Sequence, residues 1–242
     1  MASLNNYLWC IVNCSEIDSS SLPNLDPPNF MTQPEKVIVF DLDGVLINSE
    51  EANYQAFAYG IEALGLPRPD RQAVISLVGL KATLMLEKLG CPPPQSEEIV
   101  RQYVQPFYIA NLPDLAFPMP DAHRVLETLT ARGYRILACT SGDRRTQTAA
   151  LKGVGLWDAI EKMQAADDSR FSKPDPRYLQ ELLTGYPYQR LLHVEDTDVG
   201  IRMGQACGAI SIFADYGYGS LPADLVVDYR LATLTDLLAI AS

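Results

Sequence analysis

Two hydrophobic rhythms alternate along this chain. Short apolar runs recur at "KVIVFDL" (36–42), "YRILACT" (134–140), "RLLHVE" (190–195), "AISIFA" (209–214) and, more faintly, "DLVVD" (224–228). Runs this short and this apolar predict strands buried on both faces. Between them, apolar positions return every three or four residues, as on one face of a helix. "DAHRVLETLTARG" (121–133) sets Val125, Leu126 and Leu129 at helical spacing and stops at Gly133. "DRRTQTAALKGVG", "DPRYLQELLTGY" and "DVGIRMGQACGA" behave likewise, and "LATLTDLLAIA" predicts a closing helix. Strand–helix alternation implies right-handed crossovers and a mostly parallel sheet covered on both faces.

Residues 50–115 break the rhythm. They hold no strand pattern but three helical runs, "SEEANYQAFAYGIEALGL", "RQAVISLVGLKATLMLEKLG" and "SEEIVRQYVQPFYIANL". The breaker "CPPPQ" (91–95) separates the last two. The predicted fold class is therefore α/β: a Rossmann-like parallel-sheet core (36–49 and 116–242) with an inserted helical cap domain (50–115). Residues 1–35 carry no Lys or Arg and are rich in Ser, Pro and Asn toward their end. They lack the basic start of a signal peptide and read as a poorly ordered leader, with Met31 a second candidate start.

Composition narrows the function. A net charge of −11 disfavours nucleic acid and anionic membranes as partners, because phosphate backbones call for clustered Lys and Arg. An anionic substrate would need a site that makes its own positive potential. No apolar run approaches the roughly 20 residues of a membrane helix. Cys10, Cys14, Cys91, Cys139 and Cys207 are scattered without metal-ligand spacing, and Cys139 and Cys207 read as buried thiols. That usage fits a reducing cytoplasm.

Candidate chemistry gathers at strand ends. Asp41 and Asp43 lie two apart at the end of the first strand, so both carboxylates can face one point. Ligands of open parallel sheets bind at that end. Gly44 lets the chain turn away. Like charges this close shift each other's pKa unless a cation or proton lies between them. A calcium loop is excluded by Val45 and Ile47, which stand where oxygens are needed. The second strand ends in Thr140 and Ser141 before a helix, a hydroxyl beside free backbone N–H groups that can cradle phosphate, or an ordinary cap. "SRFSKPDP" offers Lys173 on a proline-bounded loop, and "LLHVEDTDVGI" ends a strand in Glu195 and Asp196. An oxygen-rich site of this kind suits Mg²⁺. His193 lies inside a strand and reads as core, as do Tyr54, Phe57 and Met85 in the cap.

Taken in order, these residues resemble the motifs of the haloacid-dehalogenase-like (HAD) hydrolases. DxDG is Asp41-Leu42-Asp43-Gly44, the hydroxyl motif is Thr140, the lysine motif is Lys173-Pro174 and the acidic pair is Glu195-Asp196. The resemblance spans about residues 36–241 and points to the phosphoglycolate phosphatase and β-phosphoglucomutase-like branch. It implies that Asp41 is a nucleophile forming an aspartyl-phosphate, and that Asp43 protonates the leaving oxygen and then activates water. It implies further that Asp41, Asp43 (by its backbone carbonyl), Glu195 and Asp196 hold Mg²⁺, and that Thr140, Ser141 and Lys173 bind the phosphoryl oxygens. The cap would close over the site, with "LVGLK" (77–81) facing the substrate and Lys81 meeting a second anionic group.

The chain also departs from the family. Asn48 stands where Asp is usual, Pro120-Asp121 where Pro-Gly is usual, and Gly142-Asp143-Arg144 where Asn or Lys follows the hydroxyl motif. Asn53 and Ala82 occupy the positions where the mutase branch carries a His and an Arg, which argues against a mutase. The expected activity is that of a cytoplasmic Mg²⁺-dependent phosphatase acting on a small phosphorylated metabolite. A phosphomutase or a non-catalytic binding module of the same fold are the alternatives. Oligomeric state is not legible.

Overall fold

In the computed structural model, which describes residues 35–242, the apolar runs form one six-stranded parallel sheet. Strand β1 (Lys36–Phe40) leads into the short β2 (Ile47–Asn48) and then into five helices. These are α1 (Glu50–Glu62), α2 (Arg71–Ile75), α3 (Ala82–Lys88), α4 (Pro93–Ile99) and α5 (Gln105–Leu115). The chain returns through β3 (Phe117–Pro118), α6 (Ala122–Ala131), β4 (Tyr134–Cys139), α7 (Arg144–Gly153) and β5 (Lys162–Gln164). It ends with α8 (Pro176–Leu183), β6 (Arg190–Glu195), α9 (Asp198–Ala206), β7 (Ile210–Ala214), β8 (Tyr229–Leu231) and α10 (Leu237–Ile240). The sheet order is β5-β4-β1-β6-β7-β8. Strand β1 thus lies near the centre, and the order reverses beside it, where open α/β sheets bind ligands.

Alternate residues of the central strands pack into two separate cores. Ile38, Phe40, Ile136 and Val194 face the side covered by α6 and α7, through Val125, Leu129 and Leu151. Val37, Val39, Leu137 and Leu191 face α8 and α9, through Tyr178, Leu182 and Met203. Burying both faces explains why these strands read as unbroken apolar runs. Register then fixes the site: Phe40 lies opposite Ala138 on one side and Val194 on the other, so Asp41, Thr140 and Glu195 emerge along one edge.

Several elements differ from the expectation. The helical run at 71–90 is cut in two, because Gly79 adopts φ +103°. Pro92 and Pro93 open α4 instead of only ending what precedes it, since proline at a first helical position loses no hydrogen bond. The run through 96–112 contains a π-turn over Val100–Val104, where Gln105 N donates to Val100 O five residues back. Pro106 follows at once; its ring cannot sit against an ordinary α-helical turn, and the wider turn accommodates it. The last strand is not at 224–228: Val226 there is 79% exposed, so that apolar run is not a buried one, and β8 begins at Tyr229. Strand β5, "KMQ", has a single apolar residue and no hydrophobic signal. The expected closing helix shrinks to a capped 3₁₀ turn, Leu234–Asp236, and the four residues of α10. Cys207 is half-buried and Cys139 fully buried. Apart from residue 35, the expected leader lies outside the described residues. Among them, no helix is long and apolar enough to cross a membrane.

The two chain crossings that flank the inserted helices run side by side. Strand β2 pairs antiparallel with β3, Ile47 opposite Pro118, and Met119 N donates to Leu46 O at 2.9 Å. Just after this crossing Asp121 takes φ 64°, the left-handed region that the usual Pro-Gly would occupy with less strain.

Candidate active site

The end of β1 gathers buried charges of both signs. Asp41 is 3% exposed, and Lys173 Nζ donates to its Oδ1 at 2.9 Å. The same ammonium donates to Glu195 Oε1. Asp41, Glu195 and Asp196 each offer a carboxylate oxygen, all lying within 4.8 Å of one another. Asp196 is held from behind: Tyr218 N donates to its Oδ2 at 2.7 Å and Gly219 N at 3.4 Å, both from the "YGYGS" stretch. Gly44 explains itself here. Its φ is +81°, and a Cβ would strike the Asp196 carboxylate.

Asp43 lines the same cavity as Asp41 and is held in its own cage of donors. Ser49 Oγ and Asn53 Nδ2 donate to Oδ1, and Gln147 Nε2 donates to Oδ2 at 2.7 Å. Ser49 is in turn fixed because its backbone N–H donates to the Tyr218 hydroxyl at 2.7 Å.

Burial sets the electrostatics. It pushes the Asp43 carboxyl above the ordinary range, Asp41 adds to the rise, and the Ser49, Gln147 and Asn53 hydrogen bonds only partly oppose it. Burial likewise pushes Glu195 and Asp196 upward, against the pull of Lys173. For Lys173 burial works against the charge, but Asp41 and Glu195 overcome it and hold the ammonium well above its usual pKa. One cation thus stands against a cluster of three buried carboxyl groups, Asp41, Glu195 and Asp196, with Asp43 beside Asp41. An oxygen-only donor set with excess negative charge suits a hard divalent cation, and such a cation would relieve the repulsion. His193 is fully buried, and burial with nearby Lys173 lowers its pKa to about 3, so it is a neutral core residue.

A cavity of about 60 Å³ opens beside Asp41 and Asp43. One water needs about 10–15 Å³ on this measure, so the space admits several waters or one compact molecule. Thr140 and Ser141 line it from the core side, and Asn53 and Ala82 from the inserted helices. Thr140 is held by its backbone, whose carbonyl accepts from Tyr178 OH at 2.7 Å. Lys81 is not in this wall; its neighbours Gly79, Leu80 and Ala82 are. Phe57 and Met85, expected as core, are buried and also line the cavity. Ser49, Gln147 and Tyr108 went unnoticed in the sequence, where a serine before a helix and a glutamine or tyrosine within one carry no distinctive signal.

With this geometry in view, likeness to known proteins takes on meaning. Residues 38–214 match the model of the haloacid dehalogenase-like hydrolase family. A phosphoglycolate phosphatase of Mesorhizobium japonicum is 27% identical over 195 residues, 78% of this chain and 85% of its own length. The pyrophosphatase PpaX of Halalkalibacterium halodurans is 28% identical over 209 residues, covering 84% and 95%. The crystal structure of a predicted phosphoglycolate phosphatase from Haemophilus somnus superposes with a TM-score of 0.80 at 22% identity, over 87% of this chain and 100% of that one. CbbY of Rhodobacter sphaeroides, solved with phosphate, gives a TM-score of 0.72 at 18% identity, over 84% and 96%. The motifs resemble the family's, the sheet is of its kind, and the match spans both: the chain belongs to the haloacid dehalogenase-like hydrolases and is an enzyme of that family.

Proposed function

We propose that this protein is a Mg²⁺-dependent phosphatase of small phosphomonoesters, working through an aspartyl-phosphate. The observation that carries the reading is the buried convergence of Asp41, Lys173, Glu195 and Asp196 beside a small cavity. The names of the curated relatives support a phosphorylated small molecule as substrate.

In this reading an oxygen of Asp41 attacks phosphorus while the bond to the leaving oxygen breaks. Asp43, whose carboxyl pKa is raised by burial, gives its proton to that oxygen. Water then attacks phosphorus and loses its proton to Asp43, and phosphate leaves with Asp41 restored. Ser49, Asn53 and Gln147 aim the Asp43 carboxyl. Lys173 aims Asp41 and balances charge, while Thr140 and Ser141 receive the phosphoryl oxygens. Mg²⁺, held by Asp41, Glu195, Asp196 and the backbone carbonyl of Asp43, would neutralise the negative charge that otherwise repels the substrate from its nucleophile. The helices of 50–115 act as a cap that screens the site from water. Asn53 and Ala82 in the cavity wall favour a phosphatase over a mutase, and free thiols at Cys91, Cys139 and Cys207 are consistent with a cytoplasmic setting.

The test is release of phosphate from p-nitrophenyl phosphate by the full chain, with and without Mg²⁺. Turnover is expected only with the metal and to vanish in Asp41→Asn. Full metal-dependent turnover by that variant would overturn the role of Asp41.

A further inference from the structure

The cavity wall carries more than the charged, metal-suited groups around Asp41. Close to Asp43 it holds the Tyr108 hydroxyl, whose neighbour is Ser49, and two buried atoms that have no hydrogen-bond partner, Thr146 Oγ1 and Gln147 Oε1. The residues are 3%, 8% and 3% exposed, so bulk water does not satisfy them. Ser49 gives its own proton to Asp43 and can only accept from the Tyr108 hydroxyl, which leaves that hydroxyl's lone pairs free for a substrate O–H. Buried polar groups left unpaired are uncommon and costly, so two on one wall, with a half-used hydroxyl beside them, point to something that bonds there. Phe57, Leu80, Met85 and Val104 supply apolar surface between them.

The wall also lacks what an anion needs. Among the described residues, no Lys, Arg or His lines this cavity. Lys173 is committed to Asp41 and Glu195 and does not line the cavity. Arg144, just outside, is held by Asp168 at 2.5 Å and by the Met163 carbonyl at 2.7 Å. The wall instead contains a carboxylate, Asp143. A second carboxylate or phosphate would enter a half-dry space with no counter-charge and one like charge, which is strongly unfavourable.

We infer that the leaving group is neutral and hydroxyl-bearing, a small polyol or sugar, and is neither a carboxylate nor a second phosphate. The inference rests on the phosphatase reading of the same site and narrows it. Thr146 supplies a hydroxyl that can donate or accept, and the Tyr108 hydroxyl oxygen and the Gln147 carbonyl accept from a substrate O–H. The apolar residues pack against the carbon skeleton. A site built to bond substrate hydroxyls rejects analogues that leave its groups unpaired far better than an apolar pocket rejects an extra methylene.

The test compares kcat/KM of the full chain with Mg²⁺ for glycerol 1-phosphate and 3-phosphoglycerate, which differ only in a hydroxymethyl against a carboxylate. p-Nitrophenyl phosphate serves as the general phosphatase substrate. Glycerol 1-phosphate is expected to be favoured by tenfold or more, and 2-phosphoglycolate to fall with 3-phosphoglycerate. Tyr108→Phe and Thr146→Val, which remove only the hydroxyls, should shrink that preference several-fold. Gln105→Arg, which puts a cation in the wall, should move it toward the carboxylates. Equal or better use of 3-phosphoglycerate or 2-phosphoglycolate, or hydroxyl-deletion variants with an unchanged preference, would overturn the inference and leave the phosphatase reading intact. No metal-dependent turnover of any substrate, p-nitrophenyl phosphate included, would sink both.

Discussion

Three donors from two places in the chain converge on the Asp43 carboxyl: Ser49 and Asn53 at the start of α1, and Gln147 on α7. Asp43 is half-buried, and the desolvation of its carboxyl favours the neutral form. Asp43→Asn therefore removes a proton donor without removing a needed charge. Turnover should fall by about 10²- to 10⁴-fold, the usual worth of general acid–base catalysis. The melting temperature should stay within about 4 °C of the parent, the shift that about 1 kcal/mol makes in a chain of this size. Parallel rate and thermal-melt measurements decide it; a large stability loss would make Asp43 a structural residue. Asp41, Asp43, Thr140, Glu195 and Asp196 were legible in the sequence because each ends or follows a strand, Lys173 because a proline follows it, and together they keep a fixed order. Their supports were not. Gln147 is 104 residues from Asp43 along the chain, and nothing local marks it as a partner. Its role exists only once the sheet register brings the end of β4 beside the end of β1.

Among the elements, the loop between α2 and α3 places a sharp demand on its backbone. Gly79 adopts φ +103°, and a Cβ there would lie 2.8 Å from Thr197 Cγ2, at the start of α9. Loop and core touch at this point, so Gly79→Ala should hold the loop away from Thr197 and from the cavity that Gly79 and Leu80 line. A non-glycine residue in such a conformation costs about 1–3 kcal/mol, so kcat/KM should drop by about fivefold or more. Thr197→Ser deletes the obstructing methyl but keeps the hydroxyl that caps α9 at Gly200 N. In the double variant part of the loss should return, and only part, because the backbone strain remains. Kinetics of the four-member cycle would show it, and strictly additive losses would mean that the contact is irrelevant. The sequence placed this loop on the substrate side but ran one helical pattern straight through it. Apolar periodicity continues across Gly79, and a single glycine does not reveal which φ it will take. The same limit hid the π-turn before Pro106 and the three-residue β5, whereas the long two-faced strands β1, β4, β6 and β7 announced themselves.

For the whole molecule, charge is the organising problem. A chain with net charge −11 also buries Asp41, Glu195 and Asp196 together, against one lysine. A cation that binds this cluster in the folded state and not in the unfolded chain stabilises by RT ln(1 + [L]/Kd), about 2.7 kcal/mol at a hundredfold excess over Kd. At about 2–4 °C per kcal/mol for this size, Mg²⁺ should raise the melting temperature by about 5–10 °C over a chelated sample. An acidic surface would attract any cation, so the comparison must be made at matched ionic strength with KCl, where surface charges are screened beyond about 8 Å. Asp196→Asn separates the two effects. It leaves the surface charge nearly unchanged but removes one buried carboxyl, so the metal-free protein should melt higher and the Mg²⁺ increment should collapse. An increment that survives in Asp196→Asn, or that KCl reproduces in the parent, would place the stabilising cation on the surface and not at the end of β1.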